Sequence, residues 1–427
     1  MQRYLRRDQK TYSRAADLNL SAFQNSYWRT EKHLNTLVRK LVINKACGLG
    51  RLILLAIIFL SLSGFAQTSS SLAERRAAHL RHGINLSEWF AQVYDPKGYT
   101  KEHLENWTTA DDIGLIKSMG FDHVRLSINP QPMMRHNQAD ELPPEYLGYL
   151  DNAVKMILDR GLAIIIDMHP ESDFKSRLVQ HDDFVEQFSD FWRAIARHYS
   201  TQDPDRVFFE VLNEPEFRDR YRWAGVQAKL ASAIREGAPQ HTIIAAGANW
   251  SDVEDLLALT PLPDPNVIYN FHFYDPHTFT HQGATWGTNY WHFEHKLGYP
   301  ASMETAEKVA ASEPDAVNRL TVLRYGLDHW DAFRIGVEIG QAAEWAKRWN
   351  VPLTCNEFGV YRKNSDPQDR ARWLRDVRTT LEHNGIGWNM WDFGGRDEGR
   401  GFGVVNGSKE GPNTPDETTI EALGLKR

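Results

Sequence analysis

The chain has 427 residues, 41% hydrophobic and 25% charged, a balance that excludes disorder for the bulk of it. Its net charge of -7 is uneven: residues 1–66 carry 11 Lys and Arg against 3 Asp and Glu, which leaves 38 basic and 53 acidic residues, a net of -15, for the rest. An acidic body excludes nucleic acid and anionic membrane as main partners, because both require a basic surface.

In chain order the first recognisable element is the apolar run Leu52-Ile-Leu-Leu-Ala-Ile-Ile-Phe-Leu60, preceded by Arg51 and followed by Gly64 and Ala66. A membrane span needs about 20 apolar residues, so the run is short for one. Its length, basic flank and small trailing residues predict a signal peptide with an apolar segment over 52–62 and cleavage after Ala66. The expected product is secreted, periplasmic or extracellular. The polar stretch before the run is longer than a secretory leader usually carries, so an uncleaved signal-anchor at the membrane is the alternative. Residues 1–66 are thus expected to be an extension plus address, and 67–427 one catalytic domain. Of the two cysteines, Cys47 would leave with the signal, and Cys355 reads as a small buried hydrophobe in a strand.

From residue 80 onward, short β-rich runs alternate with amphipathic helical ones. Candidate strands are 82–86, 123–128, 162–167, 207–212, 242–246, 267–273, 351–356 and 386–391. Between them Leu150, Val154, Ile157 and Leu158 form one helical face that Gly161 can end, and Val226, Leu230 and Ile234 repeat the theme before Gly237 and Pro239. Runs such as Ala163-Ile-Ile-Ile166 lack polar alternation, as parallel strands covered on both faces do. Eight such units predict a closed (β/α)8 TIM barrel, α/β in class, with a long loop and helical insertion at about 275–340.

In that fold, catalytic groups sit where strands end and βα-loops begin. The predicted ends carry Asn85 and Trp89, Arg125, Asp167 and His169, Asn213 and Glu214, Asn249 and Trp250, His272 and Tyr274, Glu357, and Trp391 with Asp392. Two segments stand out: Val211-Leu-Asn-Glu-Pro215, and Pro352-Leu-Thr-Cys-Asn-Glu-Phe-Gly359. Each runs an apolar strand into a carboxylate. A single Glu at a strand end reads better as a salt-bridged terminus. A pair on opposite sides of a barrel mouth is what acetal hydrolysis uses.

Over residues 80–410 the chain resembles the family 5 glycoside hydrolases, the cellulase family of retaining β-glycanases. The resemblance rests on Asn-Glu-Pro after strand four, Glu-Phe-Gly at strand seven and the opening His82-Gly-Ile-Asn-Leu. Matched position by position, it places the family's active-site set on Arg125, His169, Asn213, Glu214, His272, Tyr274, Glu357 and Trp391. It implies Glu214 as acid/base and Glu357 as nucleophile, the latter supported by Arg125 and Tyr274. Asn213 would bind the sugar 2-hydroxyl, His169 and His272 would orient sugar and acid, and Trp391 would floor the cleaved subsite. The implied activity is a retaining endo-β-1,4-glucanase acting on β-glucan, as a monomer, with no cofactor and no metal.

Alternatives remain at this level. The same chemistry could serve mannan, xyloglucan, or β-1,3 and mixed-linkage glucan. A non-catalytic carbohydrate-binding barrel is the rival of another class. Asp167 and His169 with His272 admit a metal-dependent barrel hydrolase, although strand one lacks the His-x-His pair such enzymes usually carry. Trp89, Trp250, Trp286 and Trp291 are candidate sugar platforms, which would favour a chain polysaccharide. The His-rich loop with His277, His281, His292 and His295 reads equally as a solvated lid and as a substrate contact.

Overall fold

The computed structural model describes residues 70–426 except 136–137, 289–291, 293–295, 397–400 and 408–410; the expected export segment therefore lies outside the described residues. Eight strands form the barrel: β1 His82–Phe90, β2 His123–Ile128, β3 Ala163–Met168, β4 Val207–Glu210, β5 Thr242–Ala246, β6 Val267–Phe273, β7 Leu353–Phe358 and β8 Gly387–Met390. They pair in chain order, all parallel, and β8 closes on β1 through His82–Trp388, Gly83–Asn389 and Ile84–Met390. The predicted (β/α)8 barrel is the observed one. Every residue of β2, β3, β5, β6 and β7 is buried, which is the physical reason these runs show no polar alternation: helices cover one face and packed side chains the other.

The outer helices bury one stripe each. Pro144–Asp159 turns Leu150, Ala153, Val154 and Ile157 inward, and Gly161 behind it adopts φ +73°, the left-handed conformation that ends the helix and turns the chain into β3. Trp192, Trp223 and Trp373 are fully buried, and each satisfies its indole N–H on a carbonyl, of Val211 (3.0 Å), Ala246 (2.9 Å) and Asp275 (3.1 Å) respectively. The interval after β6 contains helices Met303–Ser312 and Ala316–Leu327; Ala332–Trp349 then buries Ile335, Ile339, Ala342 and Trp345 and leads into β7.

A short helix, Leu72–Ala77, precedes the barrel and begins with a Ser71–Glu74 capping box. Its Ala73, with Leu80, joins Ala163, Ile165, Phe208, Ile244 and Ile268 in an apolar cluster at the amino-terminal ends of the strands. Arg76 pins this plug: its Nε donates to Asp205 at 2.8 Å and its Nη1 to the Thr242 hydroxyl at 3.2 Å. One end of the barrel is thereby closed with apolar side chains. Polar side chains collect toward the other.

Candidate active site

Strand alternation sends successive side chains to opposite faces, yet Asn356 and Glu357 both point into the barrel. The register explains this. β6 and β7 pair Phe271 with Cys355 and then His272 with Glu357, so Asn356 is the extra residue of a bulge. Its amide reaches Glu210 at 2.7 Å while the neighbouring Glu357 reaches Arg125 at 2.6 Å. Cys355 faces the packed side, buried, and burial pushes its thiol well up.

Arg125, wholly buried on β2, is the hub. Its Nε and Nη2 donate to the two oxygens of Glu210, both at 2.9 Å. Nη1 donates to Glu357 Oε1 at 2.6 Å and to Asn85 Oδ1 at 2.9 Å; Nη2 also lies 2.9 Å from Asn213 Oδ1 and 3.0 Å from Asp167 Oδ2. Five N–H groups thus meet six acceptors. Burial alone would discharge such a cation, but Asp167, Glu210 and Glu357 outweigh it and hold its pKa well above the ordinary arginine value. The other Glu357 oxygen accepts from the Tyr274 hydroxyl at 3.0 Å. Both oxygens of that carboxyl are therefore fixed in direction.

Asn213 and Glu214 lie beyond the end of β4, which stops at Glu210, two residues short of the predicted strand end. The chain continues by hydrogen bonds from Val211 N to Ile244 O (3.0 Å) and Asn213 N to Met168 O (2.8 Å). Glu214 then takes φ +43°, a left-handed conformation that a non-glycine residue holds only when its surroundings impose it. The result aims its carboxyl at His272, whose Nδ1 is 3.0 Å from Glu214 Oε1. Since Asn213 Oδ1 faces the guanidinium, its amide nitrogen is the group 3.0 Å from His169 Nε2, which must accept. His169 Nδ1–H therefore donates to Asp167 Oδ2 at 3.0 Å. Burial lowers His169 to about 3 and His272 to about 4, so both rings are neutral, and it raises Asp167 to about 6 against the pull of Arg125. Trp391 follows β8 and lies against His169, ring centroids 5.6 Å apart at 22°.

The sequence profile of Cellulase (glycosyl hydrolase family 5) matches residues 87–397. The chain belongs to glycoside hydrolase family 5. Among relatives of this family 5 enzyme, Endoglucanase C of Acetivibrio thermocellus is 29% identical over 317 residues, 73% of this chain and 90% of the relative. Cellodextrinase A of Ruminococcus flavefaciens is 34% identical over 313 residues, covering 71% and 82%. The solved structure of endoglucanase Cel5A from Thermotoga maritima superposes with a TM-score of 0.64 at 24% identity, covering 82% of this chain and 99% of that one; it shares the fold.

All eight residues matched from sequence to the family 5 active site thus converge on one mouth of the barrel. Trp89 does not join them. It is only 2% exposed, its indole N–H donates to Leu104 O at 2.9 Å, and its ring packs on Phe90, so it serves the core and corrects the expectation of a sugar contact. The reason is that β1 runs on to Phe90 through an irregular register after Leu86, which turns the indole inward. Trp250 is 53% exposed, and its backbone N–H donates to Pro215 O at 3.2 Å, which ties it to the Glu214 loop. In the His-rich loop, His281 is buried edge-on to Tyr274 and Phe402, and Trp286 packs on Tyr361 and Phe402. Trp291 and His295 lie outside the described residues.

Sequence reasoning missed Glu210 and Asn356. The signal was present: a carboxylate inside Val207-Phe-Phe-Glu210 has to find a buried cation. One oxygen or nitrogen each from Glu214, His272 and Glu357 lie within 4.8 Å of one another, the spacing of a possible cation site. In it Glu357 accepts from Arg125 and Tyr274, and His272 Nδ1 already lies against Glu214 Oε1. Among the described residues no helix is long and apolar enough to cross a membrane.

Proposed function

We propose that this glycoside hydrolase is a retaining endo-β-1,4-glucanase in which Glu357 is the nucleophile and Glu214 the acid/base. The observation that carries the reading is the spacing of the pair. A Glu214 oxygen lies within 4.8 Å of a Glu357 oxygen. Retaining enzymes hold their two carboxyls about 5–5.5 Å apart, and inverting ones about 6.5–9.5 Å apart to admit a water.

In the first step a Glu357 oxygen bonds to the anomeric carbon, the glycosidic C–O bond breaks, and Glu214 gives its proton to the leaving oxygen. In the second, Glu214 takes a proton from water, the water oxygen bonds to the anomeric carbon, and the ester to Glu357 breaks. Arg125 and Tyr274 face the nucleophile throughout and receive its charge back when it leaves. The free amide hydrogen of Asn213 suits the sugar 2-hydroxyl, a contact that strengthens as charge develops at the ring. Trp391 offers an indole face to the apolar side of a glucose unit.

A polymeric β-1,4-glucan is favoured by exposed aromatics on three βα-loops, Tyr94, Trp250 and Trp286, by exposed Tyr221 in the first turn of the helix after β4, and by relatives named endoglucanase. The apolar run before Ala66 supports export, and the protein is read as a monomer that uses no cofactor.

The test is reducing-sugar release from carboxymethyl-cellulose, mixed-linkage glucan, xyloglucan, mannan, xylan and laminarin, comparing the native protein with Glu357→Gln. Activity greatest on the β-1,4-glucans, lost in the variant with folding intact, supports the reading. Greater activity on mannan would move the substrate and keep the chemistry. Silence on every substrate from folded protein would favour a carbohydrate-binding barrel. NMR of the first product must show the β-anomer; the α-anomer would overturn retention.

A further inference from the structure

Behind the reacting groups, one guanidinium serves three carboxyls, and the carboxyl it grips with two parallel bonds is not the nucleophile. Glu210 takes Arg125 by its Nε and Nη2, two parallel bonds of 2.9 Å, the fork arrangement that fixes a guanidinium plane. With that plane fixed, both N–H directions of Nη1 are set as well: one meets Glu357 Oε1 at 2.6 Å and the other Asn85 Oδ1 at 2.9 Å. Glu210 is itself held: Asn356 donates to Oε2 at 2.7 Å and Asn270 to Oε1 at 3.4 Å. Asn356 is the bulge residue that also presents Glu357. The two ends of the Arg125 arch are therefore anchored through adjacent residues of β7.

We propose that Glu210 is a positioning residue for glycosyl transfer, aiming Arg125 at Glu357 and absorbing enough of its charge that Glu357 remains a competent nucleophile. The inference rests on reading Glu357 as the nucleophile. An arginine paired with Glu357 alone would hold that carboxylate tightly, and a tightly held carboxylate attacks poorly. A second carboxyl on the same guanidinium, held by two parallel bonds, divides the attraction. The other charged and titratable groups facing this arch are Asp167 from β3, His169, His272 and Tyr274 around Glu357, and Glu214 across the cleft. Both imidazoles are neutral, and Lys175, which acts on Asp167 and His169, is paired with Glu216 at 3.3 Å, so Arg125 is the cation in contact with Glu357.

Replacing Glu210 by Gln removes one negative charge and leaves an NH2 facing a donor. Arg125 then leans on Glu357 and moves with it. With one anion fewer beside Arg125, Glu357 gives up its proton more readily and is a weaker nucleophile once ionised.

The experiment isolates the nucleophile with 2,4-dinitrophenyl 2-deoxy-2-fluoro-β-cellobioside. In this reagent a Glu357 oxygen bonds to the anomeric carbon while the C–O bond breaks and its electron pair leaves as dinitrophenolate, so no acid is required. The burst of dinitrophenolate is followed against pH, and peptide mapping identifies the labelled residue. For Glu210→Gln the labelling rate is expected to fall about 10- to 100-fold, with its acidic limb moved down by about one pH unit. Glu210→Asp, which keeps the charge and shortens the fork, should keep the native limb and still label more slowly. Native rates and limb in Glu210→Gln would overturn the proposal, as would a rate loss that follows thermal unfolding with the limb unmoved. If Glu210→Gln does not fold, a native labelling rate in Glu210→Asp overturns it instead. Label on any residue other than Glu357 in the native protein would count against the functional reading, a result distinct from these.

Discussion

His272 Nδ1 stands between the two carboxyls of the site, 3.0 Å from Glu214 Oε1 and 3.5 Å from Glu357 Oε2. The ring is buried and neutral, lowered to about 4 by burial against the attraction of Glu357. One neutral imidazole thus sets the spacing of the pair without adding a cation that would weaken the nucleophile. Replacing His272 by Ala should lower kcat about 10²-fold and change KM much less. Steady-state kinetics on an aryl cellobioside would check this, and unchanged kcat would show that the ring only fills space.

Glu214 should be separable from Glu357 by its leaving-group dependence. In Glu214→Ala, turnover of unactivated polysaccharide is expected to fall about 10²–10⁴-fold, while a dinitrophenyl cellobioside still forms the ester. Azide should then restore release and give the β-glycosyl azide. An α-azide, or no rescue, would contradict the assignment.

Tyr274→Phe removes one hydrogen bond to Glu357 and keeps the ring packed beside His281 and Phe402. A hydrogen bond to a charged group contributes about 1.5–3 kcal/mol, so kcat/KM should fall roughly 10- to 100-fold with the melting temperature unchanged. Equal losses of both would mean that the hydroxyl supports the loop instead.

Stability should decline as the pH falls from 7 toward the folded-state values of the buried imidazoles. Burial lowers His169 to about 3, with His272 and His241 lowered to about 4, from 6.5. A depressed imidazole is protonated first in the unfolded chain. Its stabilising contribution is therefore complete above pH 6.5 and is lost as pH falls toward the folded values. Asp167 and Asp252, each raised from 3.8 to about 6, act in the opposite sense over that window, while buried His281, also lowered well below its ordinary value, adds to the loss, so the imidazoles outweigh the two carboxyls. At about 1.4 kcal/mol per pH unit and group, urea unfolding at pH 4.5 should show several kcal/mol less stability than at pH 7. Equal stabilities would refute the neutral-imidazole account.

Trp250 stands exposed at the rim, tied to the Glu214 loop through Pro215 O. Its replacement by Ala should raise KM for soluble polymer about 10-fold, the order of one lost stacking contact, and leave hydrolysis of a short aryl glycoside alone. An effect on both substrates would place the indole nearer the reacting bond.

What the sequence determined by itself was the alternation of strand and helix and the residue types at the strand ends. Ala163-Ile-Ile-Ile166 admits no exposed face, and Asn213-Glu214-Pro215 and Glu357-Phe-Gly359 end apolar runs in carboxylates. Such features are local, so periodicity and chemistry reveal them without a partner in view. Tertiary structure decided the rest. The β7 bulge that turns both Asn356 and Glu357 inward is a register relation with β6, and no pattern within Thr354-Cys-Asn-Glu357 encodes it. Trp89 reads as a platform by position and is core because β1 extends to Phe90. Glu210 looks like one more strand residue until Arg125, 85 positions earlier, meets it inside the barrel. A buried charge is tolerable only with its counterion, and that counterion is brought to it by closure of the barrel.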